Sequence, residues 1–210
     1  MKALLDHIVI GANQLGCAAS MLEAKLGVDF AGGGTHQVMA THNRVMRLGD
    51  NSYLEVIAAD PAATASRPRW FSLDDPATRT KLNAAPCPLC WVVSVPDVQE
   101  ALAQCGYDAG EVIDMSRGDL RWKLSVPADG GLAEGGVLPV LIEWPNGRNP
   151  ADRMPLSPLQ LDRIALTHPD PDWIIGCLDR LGLSGLAGVT KGRPALAFHL
   201  TRGDSVIVLS

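Results

Sequence analysis

A histidine and a glutamate lie inside two otherwise apolar stretches of the chain, and these residue types could do chemistry there. His7 falls within the run Leu4–Ile10, and Glu55 falls within the run Asn51–Ala58. Burying either side chain without a polar partner is costly. A divalent cation bound by both the imidazole and the carboxylate would meet that cost. The pair therefore predicts a metal site between two buried strands.

Two further residues of this kind appear later in the chain, and a repeat connects them to the first two. Cys90 lies in the first apolar run of the second copy, as His7 does in the first copy, and Glu143 lies inside a closing apolar run as Glu55 does. Each of these four side chains precedes a bulky apolar residue. Alternation along a strand would place the four candidates on one sheet face and the bulky residues, including Trp144, under helices on the other.

The elements that position these residues form two similar units and a shorter third one. Strand-like, helix-like and then three extended stretches occupy residues 1–59, and the same order returns in residues 90–147. A proline-rich connection spans residues 60–89. Residues 156–210 read as a shortened third unit of βαββ type, whose last strand contains no carboxylate. The sequence thus predicts an α+β fold made of tandem βαβββ modules, because so long a period marks a duplicated supersecondary unit.

Composition limits the classes of function. The 210 residues are 47% hydrophobic and 20% charged, as expected for a folded globular chain rather than a disordered one. The net charge of −5 and the scattered basic residues argue against nucleic acid as a partner. No apolar run is long enough to cross a bilayer, and five cysteines without framework spacing indicate a reducing compartment. We expect a cytoplasmic protein without membrane partners.

The chemistry of two facing carboxylates depends on whether a metal lies between them. A cation would neutralise Glu55 and Glu143 together, whereas without one they repel and must share a proton. Sharing raises the pKa of one carboxyl group and makes either glutamate a candidate general base. Both alternatives remain open from the residues alone.

The module pattern and several short motifs resemble the vicinal oxygen chelate superfamily, which includes glyoxalase I, extradiol dioxygenases and bleomycin-type resistance proteins. More narrowly, the chain is similar to the glyoxalase-like domain branch. The resemblance implies a cup-shaped, mixed but mostly antiparallel sheet with the site inside the cup and helices outside. The motifs that carry it are Leu5-Asp6-His7-Ile8-Val9, Gly33-Gly34-Thr35-His36, Thr41-His42-Asn43, Tyr53-Leu54-Glu55 and Leu141-Ile142-Glu143-Trp144.

The resemblance also implies a set of metal ligands. In glyoxalase I each module gives one ligand from its first strand and one from its last, and the matching positions here are His7, Glu55, Cys90 and Glu143. Cys90 stands where the family has an imidazole. A His-Glu-Glu site, a His-Glu-Cys-Glu site and a site without metal are the three outcomes. The metal ligands expected are His7, Glu55 and Glu143, around one Zn, Ni, Co, Mn or Fe ion and no organic cofactor.

Three further residues are candidates for substrate binding. The resemblance implies that His36 and Asn43 line the cup; a polar hairpin face in solvent is the alternative. Alternation in Leu120–Leu124 places Trp122 and Leu124 under the helices and Arg121 on the face that bears Glu143. If that face is the cup, Arg121 could clamp a carboxylate; a solvated strand is the alternative.

We therefore expect a glyoxalase-like small-molecule enzyme, of lyase, isomerase or dioxygenase-like chemistry, with Glu143 as the base. A non-catalytic protein that binds or sequesters a small ligand in the same cup is the second hypothesis. A third is an interaction module whose cup is filled by its own side chains. The expected assembly is a monomer or a homodimer.

Overall fold

The first module is a strand, a helix and three strands whose bounds follow the apolar pattern. The computed structural model describes residues 2–145, 147 and 149–210, so that Met1, Asn146 and Arg148 lie outside the described residues. Helix α1 buries one apolar face on the sheet and ends at Gly27, which adopts the left-handed conformation. The elements are β1 (Leu4–Gly11), α1 (Leu15–Leu26), β2 (Gly32–His36), β3 (Thr41–Leu48) and β4 (Ser52–Ala59).

The second module repeats this order after a connection that contains one helix, α2 (Pro76–Ala84). Its own helix begins where the Asp97 side chain accepts a hydrogen bond from the Glu100 backbone N–H. The module consists of β5 (Cys87–Ser94), α3 (Val98–Gln104), β6 (Glu111–Arg117), β7 (Leu120–Val126) and β8 (Val140–Glu143).

The C-terminal unit has four strands, one more than the apolar pattern indicates. The missed strand, β10 (Ala187–Lys191), contains Gly188 and no continuous apolar run, so its sequence signal is weak. It pairs in parallel with the first strand of the unit. The unit consists of β9 (Leu159–His168), α4 (Pro171–Arg180), β10, β11 (Ala195–Arg202) and β12 (Ser205–Leu209).

The two modules share one eight-stranded sheet with the order β2-β3-β4-β1-β5-β8-β7-β6. Strands β1 and β5 pair antiparallel at the centre, and each lies parallel to the last strand of its own module. The two ends of the sheet, β2 and β6, approach each other, so the sheet curves into a cup. This mixed, mostly antiparallel sheet and the smaller C-terminal sheet confirm the predicted α+β fold class.

Both faces of the large sheet are buried. The outer face packs against the helices and the C-terminal unit in a core that contains Ile8, Trp91 and Phe198. The inner face packs against side chains of the connection, among them Trp70 and Leu82. Because both faces are apolar, the apolar pattern by itself does not show which face is the cup. Among the described residues, no helix is both long and apolar enough to span a bilayer.

The shared outer core predicts that the C-terminal unit unfolds together with the modules. Phe198 is fully buried in that core, and we expect Phe198→Ala to lower the free energy of unfolding by about 3–5 kcal/mol in one cooperative transition. Val206→Ala in the same sheet is the control, because Val206 is 63% exposed. Urea unfolding followed by circular dichroism measures both. A separate early transition in Phe198→Ala would contradict the shared core.

Candidate functional site

A buried group of charged side chains lies at the polar end of the cup, centred on His7. The His7 Nδ1–H donates to Asp6 Oδ1 at 2.7 Å, and His7 Nε2 lies 3.5 Å from Glu55 Oε2. The Tyr53 ring stacks on the imidazole with centroids 4.4 Å apart. All four residues are at most 5% exposed. The structure thus brings together the histidine and the glutamate that the sequence singled out.

Asp6 joins this group because of an irregularity in β1. Neighbouring residues of a regular strand point to opposite faces. The β1–β5 register shifts between Leu5 and His7, so Asp6 is an extra residue opposite no partner, as in a β-bulge. Asp6 Oδ2 accepts hydrogen bonds from Trp144 Nε1 at 2.8 Å and from Asn149 Nδ2 at 3.2 Å. Sequence alternation misses Asp6, since nothing in Leu5-Asp6-His7 marks the bulge.

Asn43 and His36 line the same cavity as Glu55. Asn43 Nδ2 donates to Glu55 Oε1, while Asn43 Oδ1 accepts from Gly34 N at 2.9 Å and from Arg117 Nη1 at 3.2 Å. His36 contacts Thr41 Oγ1 through Nδ1 at 3.0 Å and accepts from Arg117 Nη1 through Nε2 at 3.3 Å. These contacts hold His36 as the neutral tautomer with its proton on Nδ1.

The pKa values of the two histidines of the cup are shifted in opposite directions. Burial alone would lower the pKa of His7, but hydrogen bonds and charges from Asp6 and Glu55 outweigh it and raise the pKa from 6.5 to about 9. Burial, with the positive charges of Arg117 and His7, lowers the pKa of His36 to about 4 against the opposing effect of Glu55. At neutral pH the cup therefore contains an imidazolium at His7 and a neutral imidazole at His36.

Glu55 is a carboxylate at neutral pH despite its burial. Burial would raise its pKa, but the hydrogen bond and charge of His7, with smaller effects of His36 and Asn43, lower the pKa below its usual 4.5. Asn43 occupies Oε1 and His7 faces Oε2. Glu55 is thus the ionised partner of an imidazolium that is itself held by Asp6.

The side chain of Glu143 lies outside this group. The expectation that Glu143 would be a metal ligand beside His7 and Glu55, and the base, is therefore wrong. Its Oε2 accepts from the Val98 backbone N–H at 3.0 Å, and its Oε1 accepts from Lys123 Nζ at 3.0 Å. Glu143 therefore lies on the helix face and ties β8 to the start of α3. Its neighbours Ile142 and Trp144 line the cup instead.

The register of the parallel strand pairs explains the different direction of Glu143. Val9, two residues after His7, pairs with Glu55, and Val92, two residues after Cys90, pairs with Val140. Val140 is therefore the structural equivalent of Glu55. Glu143 lies three positions further along the strand, on the opposite face.

Arg121 and its neighbours also differ from expectation. Arg121 shares the face of Glu143 as predicted, but that face is not the cup, and its Nη1 donates to the exposed backbone oxygens of Gly118 and Leu120. Trp122 and Leu124 point into the cup rather than under the helices. The guanidinium that does enter the cup belongs to Arg117 at the end of β6. Its position beside a turn in the sequence hid this role.

The connection closes the cup with two aromatic rings that sequence reasoning did not assign. Trp70 and Phe71 stack with centroids 5.2 Å apart, and both line the cavity. Phe71 and Ser72 adopt left-handed backbone angles, with φ of 59° and 56°, a strained geometry held by the hydrogen bond from Ser72 N to Gly130 O. A tryptophan in a proline-rich connection gave no periodic signal that would have placed it in the cup.

The cavity that remains is small and mixed in character. Its volume of about 30 Å³ is room for about two water-sized groups. The polar and aromatic groups that line it are His7, His36, Asn43, Glu55, Arg117, Tyr53, Trp70, Phe71, Trp122 and Trp144.

The donors in the cup do not fit a divalent metal. Such sites usually take three or four protein ligands, and the described residues contain no group of three His, Cys, Asp or Glu side chains with that geometry. The second module offers Ile142 and Trp144 to the cup, and burial, with the charge of Glu55, raises the pKa of Cys90 well above 9. The Arg117 guanidinium adds a positive charge to the same cavity.

Comparison with known proteins finds one matching family and several structures of similar fold. The model of the family described as "Glyoxalase-like domain" matches residues 5–182. The crystal structure of a hypothetical protein from Staphylococcus aureus has a TM-score of 0.60 at 14% identity, covering 99% of this chain and 84% of that chain. A search of curated proteins found no match.

Two shorter structures are also similar in part. A methylmalonyl-CoA epimerase from Streptomyces coelicolor, in complex with 2-nitronate-propionyl-CoA, has a TM-score of 0.45 at 17% identity, covering 69% of this chain and 99% of that chain. The Mycobacterium tuberculosis methylmalonyl-CoA epimerase has a TM-score of 0.43 at 18% identity, covering 66% and 86% of the two chains.

The charged group predicts a pH dependence of stability that comes from His7. Its pKa is higher folded, about 9, than unfolded, about 6.5, so its stabilising contribution is complete below pH 6.5 and disappears as the pH rises through 9. The contribution is about 3 kcal/mol at most. Urea unfolding of the wild type and of His7→Gln between pH 6 and 9.5 measures it. A difference between the two that does not shrink with rising pH would contradict the assignment.

Proposed function

The chain belongs to the glyoxalase-like domain family, and we propose that it is a small-molecule enzyme that transfers a proton inside the cup. Glu55 is the base, and the His7 imidazolium stabilises the negative charge that forms on the substrate. The observation that carries this proposal is the fully buried pair of His7 Nε2 and Glu55 Oε2, 3.5 Å apart at the cavity.

Buried ionised groups support a functional site over a filled structural core. Desolvating Asp6, His7 and Glu55 costs several kcal/mol per ion, and apolar residues of similar volume would often stabilise a core as well or better. Ionisable groups with strongly shifted pKa values in a cavity are typical of active sites. A cup filled only for stability, as in the interaction-module hypothesis, would not need them.

The proton transfer follows from the contacts of each group. Glu55 Oε1 is occupied by Asn43, so Oε2 takes the proton from a carbon next to a substrate carbonyl group. The C–H bond breaks, its electrons move to the carbonyl oxygen, and the His7 imidazolium stabilises the resulting enolate. Asp6 holds His7 in orientation. Delivery of the proton to the neighbouring, former carbonyl carbon of an α-hydroxy substrate gives an isomerase. Departure of a leaving group from the β carbon, with the enolate electrons forming the new C=C bond, gives a lyase.

The divalent metal implied by the resemblance has no step in this proposal, because the donor set described above does not fit one. In its place, the imidazolium of His7 supplies the positive charge near the developing oxyanion. The electrostatic requirement is the same, and it is met by a residue of the chain.

This assignment predicts how the protein responds to metals. After dialysis against Zn²⁺, Ni²⁺ or Mn²⁺ and removal of free ion, we expect well below one equivalent of metal per chain by elemental analysis. A chelator should leave proton exchange unchanged. One equivalent of metal that is lost in His7→Gln would show instead that the cup is a metal site.

Proton transfer can be tested without knowing the natural substrate. We expect the protein in D₂O to exchange the acidic C–H of at least one compound in a panel of 2-oxo acids, thioesters, aldehydes and ketones. Glu55→Gln keeps the shape and should slow the exchange by about 10²–10⁴-fold. One-dimensional NMR measures the loss of the proton signal.

Glu143→Gln is the matched control, because Glu143 lies on the helix face. Its exchange rate should equal that of the wild type once equal folding is verified by thermal unfolding. Absence of exchange across the panel, or an equal loss in both variants, argues against Glu55 as the base.

A non-catalytic ligand-binding protein is the second candidate. The aromatic walls favour it, since Trp122 and Trp144 lie with ring centroids 5.6 Å apart beside the stacked pair of Trp70 and Phe71. Aromatic walls bind planar apolar compounds without any chemistry. A compound that binds tightly in the cup and exchanges no proton would favour this function.

A further inference from the structure

The indole of Trp70 carries a hydrogen-bond donor that its surroundings leave unused. Trp70 is 3% exposed, lines the cavity, and its buried Nε1 has no hydrogen-bond partner within the described part of the chain. A buried donor without a partner is unfavourable, because it has lost its hydrogen bonds to water and gained none in return. In contrast, Nε1 of Trp91 donates to Val137 O, and that of Trp144 donates to Asp6. Trp70 is therefore a cup tryptophan whose buried N–H lacks an acceptor.

Arg117 brings a positive charge to the same place without a carboxylate partner. Its Nη1 contacts His36 Nε2 and Asn43 Oδ1, both neutral acceptors. Within residues 2–145, 147 and 149–210, no Asp or Glu oxygen forms an ion pair with it. The centroids of the His36 and Trp70 rings lie 4.9 Å apart, so Arg117 and Trp70 both contact the same histidine.

Gly34, in the triple-glycine strand β2, leaves the space through which the Arg117 side chain reaches the cup. A Cβ atom at Gly34 would lie 2.9 Å from Arg117 Cδ and 3.3 Å from its Nη1. Arg117 extends from β6 across β2, where the two ends of the sheet approach each other. A side chain at position 34 would displace the stem of the arginine.

We propose that the cup binds its ligand through a carboxylate group, held by Arg117 and by the Trp70 indole N–H. A guanidinium matches the two oxygens of a carboxylate, and the cavity has room for about two water-sized groups. This rests on the proposed function in that it names the substrate class of the same site.

Matched pairs of compounds test the carboxylate. We measure dissociation constants by ligand-observed NMR for acetate, propionate, benzoate and phenylacetate, each beside its uncharged amide. The proposal expects at least one carboxylate to bind tenfold or more tightly than its amide. Equal affinity within every pair, or binding of none of the eight compounds, overturns it. The latter result would mean that water alone satisfies Trp70.

Three variants test whether Arg117 and Trp70 cause the preference for a carboxylate over its amide. Arg117→Gln should abolish the preference for the carboxylate, and Trp70→Phe, which removes the N–H but keeps an aromatic ring, should reduce it about threefold to tenfold. Arg121→Gln is the control with the same change of charge on the exposed face, and it should behave as the wild type. An equal effect of Arg117→Gln and Arg121→Gln overturns the role of Arg117.

Two glycine substitutions test whether the Arg117 side chain passes Gly34, and they leave the charge of the arginine unchanged. Gly34→Ala should weaken carboxylate binding severalfold, because the new methyl group meets the Arg117 stem. Gly32→Ala is the control, since a Cβ there meets only Val45 at an ordinary 3.7 Å. Unchanged binding in both variants contradicts the described path of Arg117.

The binding test and the proton-exchange test can contradict the two proposals independently of each other. Glu55→Gln should keep the carboxylate preference while it loses proton exchange. Carboxylate preference without exchange in the wild type would retain this ligand class and reject the proposed enzyme. Proton exchange on neutral compounds, without a preference for carboxylates, would retain the proposed enzyme and reject this ligand class.

Discussion

The buried ion group of Asp6, His7 and Glu55 is the constraint around which the cup is built. Each charge is held away from water by the apolar sheet, so each depends on the other two for its stability. The pairing of β1 with β4 brings His7 beside Glu55, and the bulge in β1 turns Asp6 to the same side. Asn43 and Trp144 then fill the outer hydrogen-bonding positions of the carboxylates. Removal of any one charge would leave another buried without compensation.

The two modules have diverged into different tasks around this group. The first module provides most of the polar side chains of the cup, whereas the second provides walls, including Ile142, Trp144 and Trp122, and the single guanidinium of Arg117. Val140 occupies the position equivalent to Glu55, and Cys90 the position equivalent to His7. The symmetric set of four ligands that the resemblance implies is therefore absent, and the carboxylates and histidines of the cup come from the first module alone. Glu143 instead fastens α3 to the sheet, which keeps the second wall in place.

The connection between the modules completes the site from outside the duplicated pattern. It turns Trp70 and Phe71 over the mouth of the cup through two left-handed residues, and hydrogen bonds to Gly130 and within the Arg69–Asp74 segment fix that geometry. Apolar rings around the site strengthen the electrostatic effects inside it, because they reduce its contact with water. The connection therefore provides two walls of the cavity without belonging to either module.

The sequence by itself determined the duplicated α+β architecture, the membership in the glyoxalase-like domain family and the meeting of His7 with Glu55. The architecture and the meeting of the two side chains follow from local alternation and from a repeat in the pattern of apolar runs. The family follows from the resemblance of short motifs, and the match over residues 5–182 shows it. Tertiary structure alone decided the direction of Glu143, the entry of Arg117 rather than Arg121, the recruitment of Asp6 and the place of Trp70. The physical reason is that the sheet is buried on both faces, so apolar residues alternate with apolar residues and the pattern does not distinguish the cup from the helix face. Strand register, one bulge and one irregular connection settle what alternation leaves open.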